Sequence, residues 1–437
     1  MIEHPLFDGC GSEPIDDRSR ECNGLDRPIT IAERQAATAV NVRQLYHTVR
    51  GVQDLAATER SSTVSRPLKR RLWLWRRGFL TRSDALYDLE ESTYRDYVTD
   101  YRRFVRSKRV NGTWSVALSN KLLFHRVMQP FDAHRMAVYG MLRDGTYHPI
   151  DDSAESVGPQ ELTDGGPAIT GVPEPSVSHQ QDGEQDQSVD TQGTQADNVT
   201  TRNAAQRVVE RLEAEGRLVL KWVRGGGGNN VLLCTRTEAG YRVNGDSYTE
   251  AEFRSLVSTL EEYLVCEYVE QGPFAAGLYP ETPNTLRIIT MYDAAAGEPF
   301  IAAAIHRMGT SDSVPLDNFS QGGLSAAIDP ETGELSNGAQ LPIDGTVAWH
   351  SRHPDTDAQV EGAHVPGWSH IRERILEMAD ACSFVPYVGW DILVADDDGS
   401  FTVIEANSYP GLKSIQVHGP LLTDDRVRRF YERHGVC

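Results

Sequence analysis

Two acidic residues interrupt otherwise apolar runs near the end of the chain, in VGWDILVADDDGSFTVIEANSYPG. Asp391 sits in the first run, and Glu405 and Asn407 lie in or just after the second. The Asp/Gly-rich turn between the runs predicts a β-hairpin. Side chains two apart on a strand share a face, so Glu405 and Asn407 point the same way, and Asp391 joins them only if the register allows. A turn with an odd number of residues, Asp397–Gly399 or Asp396–Ser400, would set Asp391 opposite Glu405, whereas a two-residue turn would place them on opposite faces. In that register Trp390, Ile392, Val394 and Ile404 form an apolar underside. Two carboxylates and an amide then make an all-oxygen set that suits magnesium, which fills its remaining octahedral positions with water and phosphate. A plain hairpin with its acids in solvent is the alternative.

A second group of residues could hold phosphate. LVLKWVRGGGGNNVLLC is a strand bearing Lys221, a turn of four glycines, Gly225, Gly226, Gly227 and Gly228, and a further strand. Glycines let backbone amides approach phosphate oxygens and a lysine adds a point charge, although a flexible turn beside a surface lysine has the same composition. The run is neither GxxxxGK[ST] nor a GxGxxG opening a helix, which argues against P-loop and Rossmann sites. PETPNTLRIITMYD places Arg287 inside a β-branched strand, and FIAAAIHRMG does the same for Arg307. An arginine on a half-buried strand asks for an anion, either a bound phosphate or carboxylate or a structural ion-pair partner. LDNFSQGGLSAAID adds a polar turn with Asp317 and Asn318. His306 is expected to be a packed or a surface histidine rather than a catalyst.

These residues need elements to carry them. Short β-type runs at Leu218–Val223, Val231–Thr235, Tyr263–Val269, Thr285–Tyr292, Phe300–Arg307, Val388–Val394 and Phe401–Glu405 follow a helical Asn203–Glu215, an α+β pattern. Residues 1–30 read as a loose leader, and residues 31–150 as a mainly helical region with helices over Ile31–Val49 and Ser83–Lys108. Residues 151–202 are acidic and polar with almost no large apolar side chain, which predicts a disordered insertion before a core at 203–437.

Composition narrows the partners. The 437-residue chain carries a formal net charge of −20, which repels nucleic acid and anionic lipid. The exception is RPLKRRLWLWRRGFL, residues 66–80, which could hold an anionic lipid surface or nucleic acid, with Trp73 and Trp75 as anchors, or could be a helix packed on its own domain. Six scattered cysteines without a zinc-site spacing, no secretory leader and no apolar run long enough to span a bilayer predict a cytoplasmic protein.

The order of Lys-bearing strand, glycine turn, CEYVEQ, NTLRIIT, DN…GG and D…EAN resembles the ATP-grasp superfamily. NTLRIIT with LDNFSQGGL is most similar to its sugar-transfer-associated group. The resemblance runs from about Gly78 to Tyr409, broken by the acidic insertion, and includes SNKLLFHRVM, where such proteins place another nucleotide-binding lysine, here Lys121. It implies an ATP-grasp fold, two α+β subdomains sandwiching ATP. Lys121, Lys221 and the glycine loop would meet the phosphates, with Arg307 in the same nucleotide site. Val269 would hold adenine through its backbone, with Glu267 or Glu270 near the nucleoside. Arg287 and Lys221 would act on the transferred phosphate, and Asp391, Glu405 and Asn407 would hold one or two Mg2+ ions.

The implied reaction is ATP- and Mg-dependent ligation of a small-molecule carboxylate to an amine, or less readily a thiol, through an acylphosphate, with a suspected link to polysaccharide or cell-surface glycan biosynthesis. A kinase on the same fold and a non-catalytic ATP-binding scaffold of polysaccharide assembly are the rival expectations. Neither GxSxG nor HExxH is present to suggest a hydrolase.

Overall fold

The computed structural model describes residues 31–62, 64–150, 204–225, 230–341 and 346–437; the side chains of 31–44 and of His47 are not among those described. The expected leader, the expected insertion and Gly226 to Gly228 lie outside the described residues. The chain divides into a short unit, Met1–His47, and a large one, Thr48–Cys437, which holds both sheets and the cleft between them.

The N-terminal region contains α1 (Ile31–Arg60), α2 (Leu68–Arg76), α3 (Val116–Ser119) and α4 (Lys121–Val127). Ser83–Lys108 departs from the expected helix: it consists of short 3-10 turns at Thr81–Ala85 and Tyr94–Asp96 and a π turn at Arg102–Arg106. Local polar bonds compete with the helical ladder there. The buried Asp100 carboxylate accepts from the Leu80 amide at 2.8 Å and the Ser83 hydroxyl at 2.7 Å, and Thr93 Oγ1 donates to the Asp88 carbonyl at 2.6 Å. Tyr87 stacks on Tyr97 at 5.0 Å, so the apolar residues that suggested a helical stripe instead fold onto one another.

The first sheet is built from β1 (Val138–Arg143), β2 (Thr146–Pro149), β3 (Arg217–Trp222), β4 (Val231–Thr237), β5 (Gly240–Val243), β6 (Asp246–Tyr248) and β7 (Tyr263–Glu267), in the antiparallel order β2-β1-β7-β3-β4-β5-β6. Its first two strands precede the acidic stretch, within the region expected to be helical; burial alternates along the first, at Val138, Gly140 and Leu142, and buried Tyr147 closes the pair. Helices α5 (Ala204–Glu215) and α6 (Glu250–Ser258) cover one face, where Leu218 and Leu220 meet Val208, Leu212, Phe253 and Val257. The strand period turns Val219 and Lys221 to the opposite face, beside Met136, Leu264 and Cys266.

After α7 (Pro273–Leu278) come β8 (Leu286–Asp293), β9 (Glu298–Met308), β10 (Leu324–Ile328), β11 (Leu335–Gln340), β12 (Ala348–His350), α8 (Trp368–Ala381), β13 (Tyr387–Val394) and β14 (Phe401–Asn407), closed by α9 (Lys413–Gln416) and α10 (Asp425–Arg433). The second sheet runs β12-β11-β10-β9-β8-β13-β14, again antiparallel. One face buries Ile288, Trp390 and Ile392 against Ile371, Ile375 and Met378 of α8, and part of the other buries Ile289, Met291 and Tyr387 against Val427, Phe430 and Tyr431 of α10. The remainder of that second face carries the charged residues.

Asn111 ties the N-terminal region to this hairpin. Its amide donates to the carbonyls of Tyr387 at 2.6 Å and Ser408 at 2.9 Å, and its oxygen accepts from the Tyr387 amide at 3.1 Å. Asn111→Ala strands three backbone groups in a buried place, so a loss of about 2–3 kcal/mol is expected in urea unfolding. A midpoint equal to that of the wild type would show that water or another side chain takes over these groups.

The basic segment around α2 is partly neutralised within the chain. Arg66 and Arg70 pair with Asp84 at 2.7 and 2.5 Å, Arg77 pairs with Glu91 at 2.7 Å, and the indoles of Trp73 and Trp75 donate to Glu91 and Glu59 at 3.1 Å each. Leu74 and Phe79 enter a core with Tyr87, Phe319 and Val417. Among the described residues no helix is long and apolar enough to cross a membrane.

Candidate active site

The expected hairpin forms, but its register has a different origin. Val394 pairs with Phe401 and the Ala395 amide donates to the Ser400 carbonyl at 2.7 Å, leaving an even, four-residue turn at Asp396–Gly399. Carried through unbroken, that turn would set Asp391 opposite Ile404. A β-bulge after Asp391 takes up one residue of β14, so that Asp391 instead faces Glu405. The expected odd turn is therefore corrected: the bulge supplies the odd residue. It also moves Ile404 off the apolar underside, where Val403 and Ala406 pack with Trp390, and onto the wall of the cleft.

That cleft has a volume of about 640 Å3 and is lined by residues of both sheets. Lys121, Lys221, Gly225, Glu267, Val269, Arg287, Arg307, Asp391, Glu405 and Asn407 all line it. Glu270 does not: the strand ends at Glu267, and Glu270 turns outward to pair with Arg217 at 2.8 Å on the surface. A second cavity, about 730 Å3, lies among the N- and C-terminal segments beside Trp75, Arg76, Arg102 and Tyr101 and contains none of the residues expected to meet nucleotide or metal.

Lys221 sits near the end of β3, between β7 and β4, and is 6% exposed. Its ammonium donates to the thioether of Met136 at 3.4 Å, a poor acceptor for a full charge. Burial therefore lowers its pKa below the ordinary lysine value, ahead of the opposing attraction of Glu405 and Asp391. Lys121 begins α4, where Asn120 caps the helix by accepting from the amides of Leu122 and Leu123 at 3.0 and 3.1 Å. Its backbone amide donates to the Val223 carbonyl at 3.0 Å, and its ammonium donates to the Gly225 carbonyl and lies 3.3 Å from Glu405. One lysine thus links the glycine turn of the first sheet to the acidic hairpin of the second.

On the second sheet Arg287 is the cross-strand neighbour of Asp391 and grips it through both carboxylate oxygens, Nη2 to Oδ2 at 2.6 Å and Nε to Oδ1. Arg307 reaches the same carboxylate at 3.5 Å and Asp317 at 2.5 Å. Burial alone would raise the Asp391 pKa, but Arg287 and then Arg307 hold it below the usual carboxylate range. Asp317 is also bonded to the Thr285 amide at 2.9 Å and the Thr285 hydroxyl at 2.5 Å; burial outweighs Arg307 and raises its pKa. The glycine pair after Asp317 is needed for close approach. Gly322 has φ +104°, and a Cβ on Gly323 would meet the Met308 carbonyl oxygen at 2.9 Å. His306, on the same strand as Arg307, is buried and stacked on Phe274 at 5.7 Å, and burial pushes its pKa to about 4. It is neutral near pH 7 and packed, the first of the two places expected of it.

The sequence did not single out the wall formed by Arg103, Ser408, Tyr409 and Lys413. Ser408 and Tyr409 directly succeed the hairpin acids in the chain, a usable signal. Arg103 carries none, because it arrives from a distant turn of the N-terminal region.

Compared with known families, residues 179–428, more than half of the chain, match the family described as sugar-transfer associated ATP-grasp. The chain belongs to that family. Lys121 precedes the matched region, and all the other cleft residues first marked in the sequence fall inside it. Solved structures similar to this ATP-grasp chain include N5-carboxyaminoimidazole ribonucleotide synthetase in an ADP complex, 13% identical over 48% of this chain and 39% of that one, TM-score 0.27. N5-carboxyaminoimidazole synthase from Aspergillus clavatus, with ADP and 5-aminoimidazole ribonucleotide, is 8% identical over 72% and 52%, TM-score 0.33. D-alanine-D-alanine ligase from Coxiella burnetii is 16% identical over 54% and 50%, TM-score 0.26. The chain thus spans about half the length of these structures, or less. No curated protein matches it by sequence.

Proposed function

We propose that this chain is an ADP-forming ATP-grasp ligase, working through an acylphosphate. What carries the reading is the opposition, across one cleft, of a buried lysine without a good acceptor to two carboxylates and an amide on a single hairpin face. A triphosphate with its metal supplies what each side lacks.

Among the described residues no three of His, Cys, Asp and Glu cluster as a metal site. The set here is Asp391, Glu405 and Asn407, with the Asn407 amide nitrogen 3.3 and 3.4 Å from the two carboxylates. Few protein oxygens beside a phosphate-binding cleft fit magnesium, and these three residues would hold it. When bound, magnesium would neutralise charge on the phosphate oxygens.

In this reading each side chain has a distinct task. Lys221 and Lys121 bind phosphate oxygens, Lys221 gaining an anionic partner and Lys121 anchoring the glycine turn over them. Arg287 and Arg307, now bonded to Asp391, share their charge with the transferred phosphoryl group, where negative charge spreads in the transition state. The backbone at Val269 meets the adenine, with Glu267 near the nucleoside. A carboxylate oxygen of the substrate attacks the γ-phosphorus, the bond to the β–γ bridging oxygen breaks, and ADP leaves. An amine nitrogen then attacks the acyl carbon, loses a proton, and inorganic phosphate leaves with the oxygen that the carboxylate supplied. A role in polysaccharide or cell-surface glycan assembly is part of the proposal and rests on the family's description.

The experiment is a screen of carboxylate and amine pairs for ADP release, and then use of an 18O-labelled carboxylate. One labelled phosphate per ADP is expected. ADP formed alongside a stable phosphorylated product, with no free phosphate, would identify a kinase instead. No nucleotide turnover with any pair, together with no ATP binding, would leave a scaffold.

A further inference from the structure

The wall of the cleft that lies beyond the hairpin acids carries charge that the nucleotide does not need. Arg103 and Lys413 line it. Arg103 is held in place by the Pro410 carbonyl at 3.4 Å and by the rings of Phe104 and Tyr409, at 4.5 and 4.8 Å. Pro410 in turn lies so close over β13 that a Cβ on Gly389 would meet its ring at 2.6 Å, which fixes the wall against the sheet. The charges acting most on Lys413 are Arg82, Asp100 and Arg103.

Three cations therefore gather around one carboxylate, whose single negative charge cannot balance all three. Asp100 is bonded to the Leu80 amide and the Ser83 hydroxyl, and among the described residues no acid lies within ion-pair distance of Arg82, Arg103 or Lys413. Lys108, the neighbouring cation on Tyr409, is different, because Asp54 pairs with it at 3.0 Å. Half-buried cations in excess over their counter-charges imply an anion supplied from outside. Burial first, and then Arg82, push the pKa of Lys413 down to about 8.

We propose that Arg103 and Lys413, with Arg82 within electrostatic reach, form a substrate subsite distinct from the nucleotide phosphates, and that the acid activated in this cleft carries a second anionic group, a carboxylate or a phosphate, which they hold. The proposal rests on the ligase reading for what happens at the other end of the substrate, but binding at the subsite is testable without it.

The test is calorimetric titration of the full chain, loaded with Mg and a non-hydrolysable ATP analogue, with glutarate and separately with inorganic phosphate. At least one of the two is expected to bind, and the tighter one identifies the second group as carboxylate or phosphate. Lys413→Met and Arg103→Gln should each weaken that binding about tenfold or more, Lys413→Arg should restore most of it, and Lys108→Met should stay within about twofold of the wild type. If Lys413→Met fails to fold, Arg103→Gln carries the comparison. Absence of binding by either anion, or equal binding by all variants, overturns the subsite. The analogue is titrated first by itself. An anion that binds through Arg103 and Lys413 in a chain with no nucleotide affinity would sink the ligase reading and leave the subsite standing, while nucleotide binding without anion binding would do the reverse.

Discussion

Glu405→Gln is expected to weaken Mg-dependent ATP binding, and with it ADP formation, by about 100-fold, while leaving any metal-free nucleotide binding nearly unchanged. The substitution keeps the shape of the side chain and its contact with Asn407 at 3.4 Å, and removes only the charge. Two consequences oppose each other, and the one at the metal dominates. One of two carboxylates for the metal is lost, and the Lys121 ammonium, 3.3 Å from Glu405, loses its counter-charge. Titration of ATP with and without magnesium, on wild type and variant, reads both. If the metal strengthens ATP binding equally in the two proteins, the hairpin acids are not the metal site.

Lys221→Met should have effects of opposite sign on stability and on binding. ATP affinity is expected to fall by about 100-fold, because the variant removes the most buried cation from the phosphate side of the cleft. The ligand-free protein is expected to gain about 1–2 kcal/mol, because a buried ammonium facing the Met136 thioether is replaced by a side chain that packs there at no desolvation cost. The direction of the shift sets the pH dependence. The folded pKa of Lys221 lies below its ordinary value of 10.5, so between the two values the unfolded chain binds more protons, and the wild type gains stability as pH rises through that interval. The variant lacks that gain, so its advantage in thermal midpoint should shrink from neutral pH toward about pH 10. A destabilised variant, or one with undiminished ATP affinity, would mean that Lys221 is an ordinary core lysine satisfied in some other way.

Much of the core was legible because strand periodicity is local. The runs beginning at Leu218, Val231, Tyr263, Thr285, Phe300, Val388 and Phe401 all form strands, with ends shifted by one or two residues. The hairpin acids stood out because a carboxylate in an apolar strand costs too much to be there without a partner. Ser83–Lys108 was misread because apolar spacing alone does not reveal Asp100 and Thr93, which satisfy the backbone locally and break the helix into turns. The strands at Leu324–Ile328, Leu335–Gln340 and Ala348–His350 were missed because small and polar residues fill them, and it is pairing with neighbours that makes them strands.

Taken by itself, the sequence determined which residue types could meet phosphate and metal, and which strands would carry them, since both depend on side-chain chemistry and a period of two. Whether those residues would meet was decided only in three dimensions. A one-residue bulge sets Asp391 opposite Glu405, the close of β7 turns Glu270 away, and a cap on α4 brings Lys121 to Gly225 and Glu405 from a distant stretch of chain. The same holds for the wall of Arg103 and Lys413, whose excess charge exists only because separate turns of chain bring cations together without matching acids. Spacing along a chain is read from the residues, but distance across a cleft depends on how every intervening element packs.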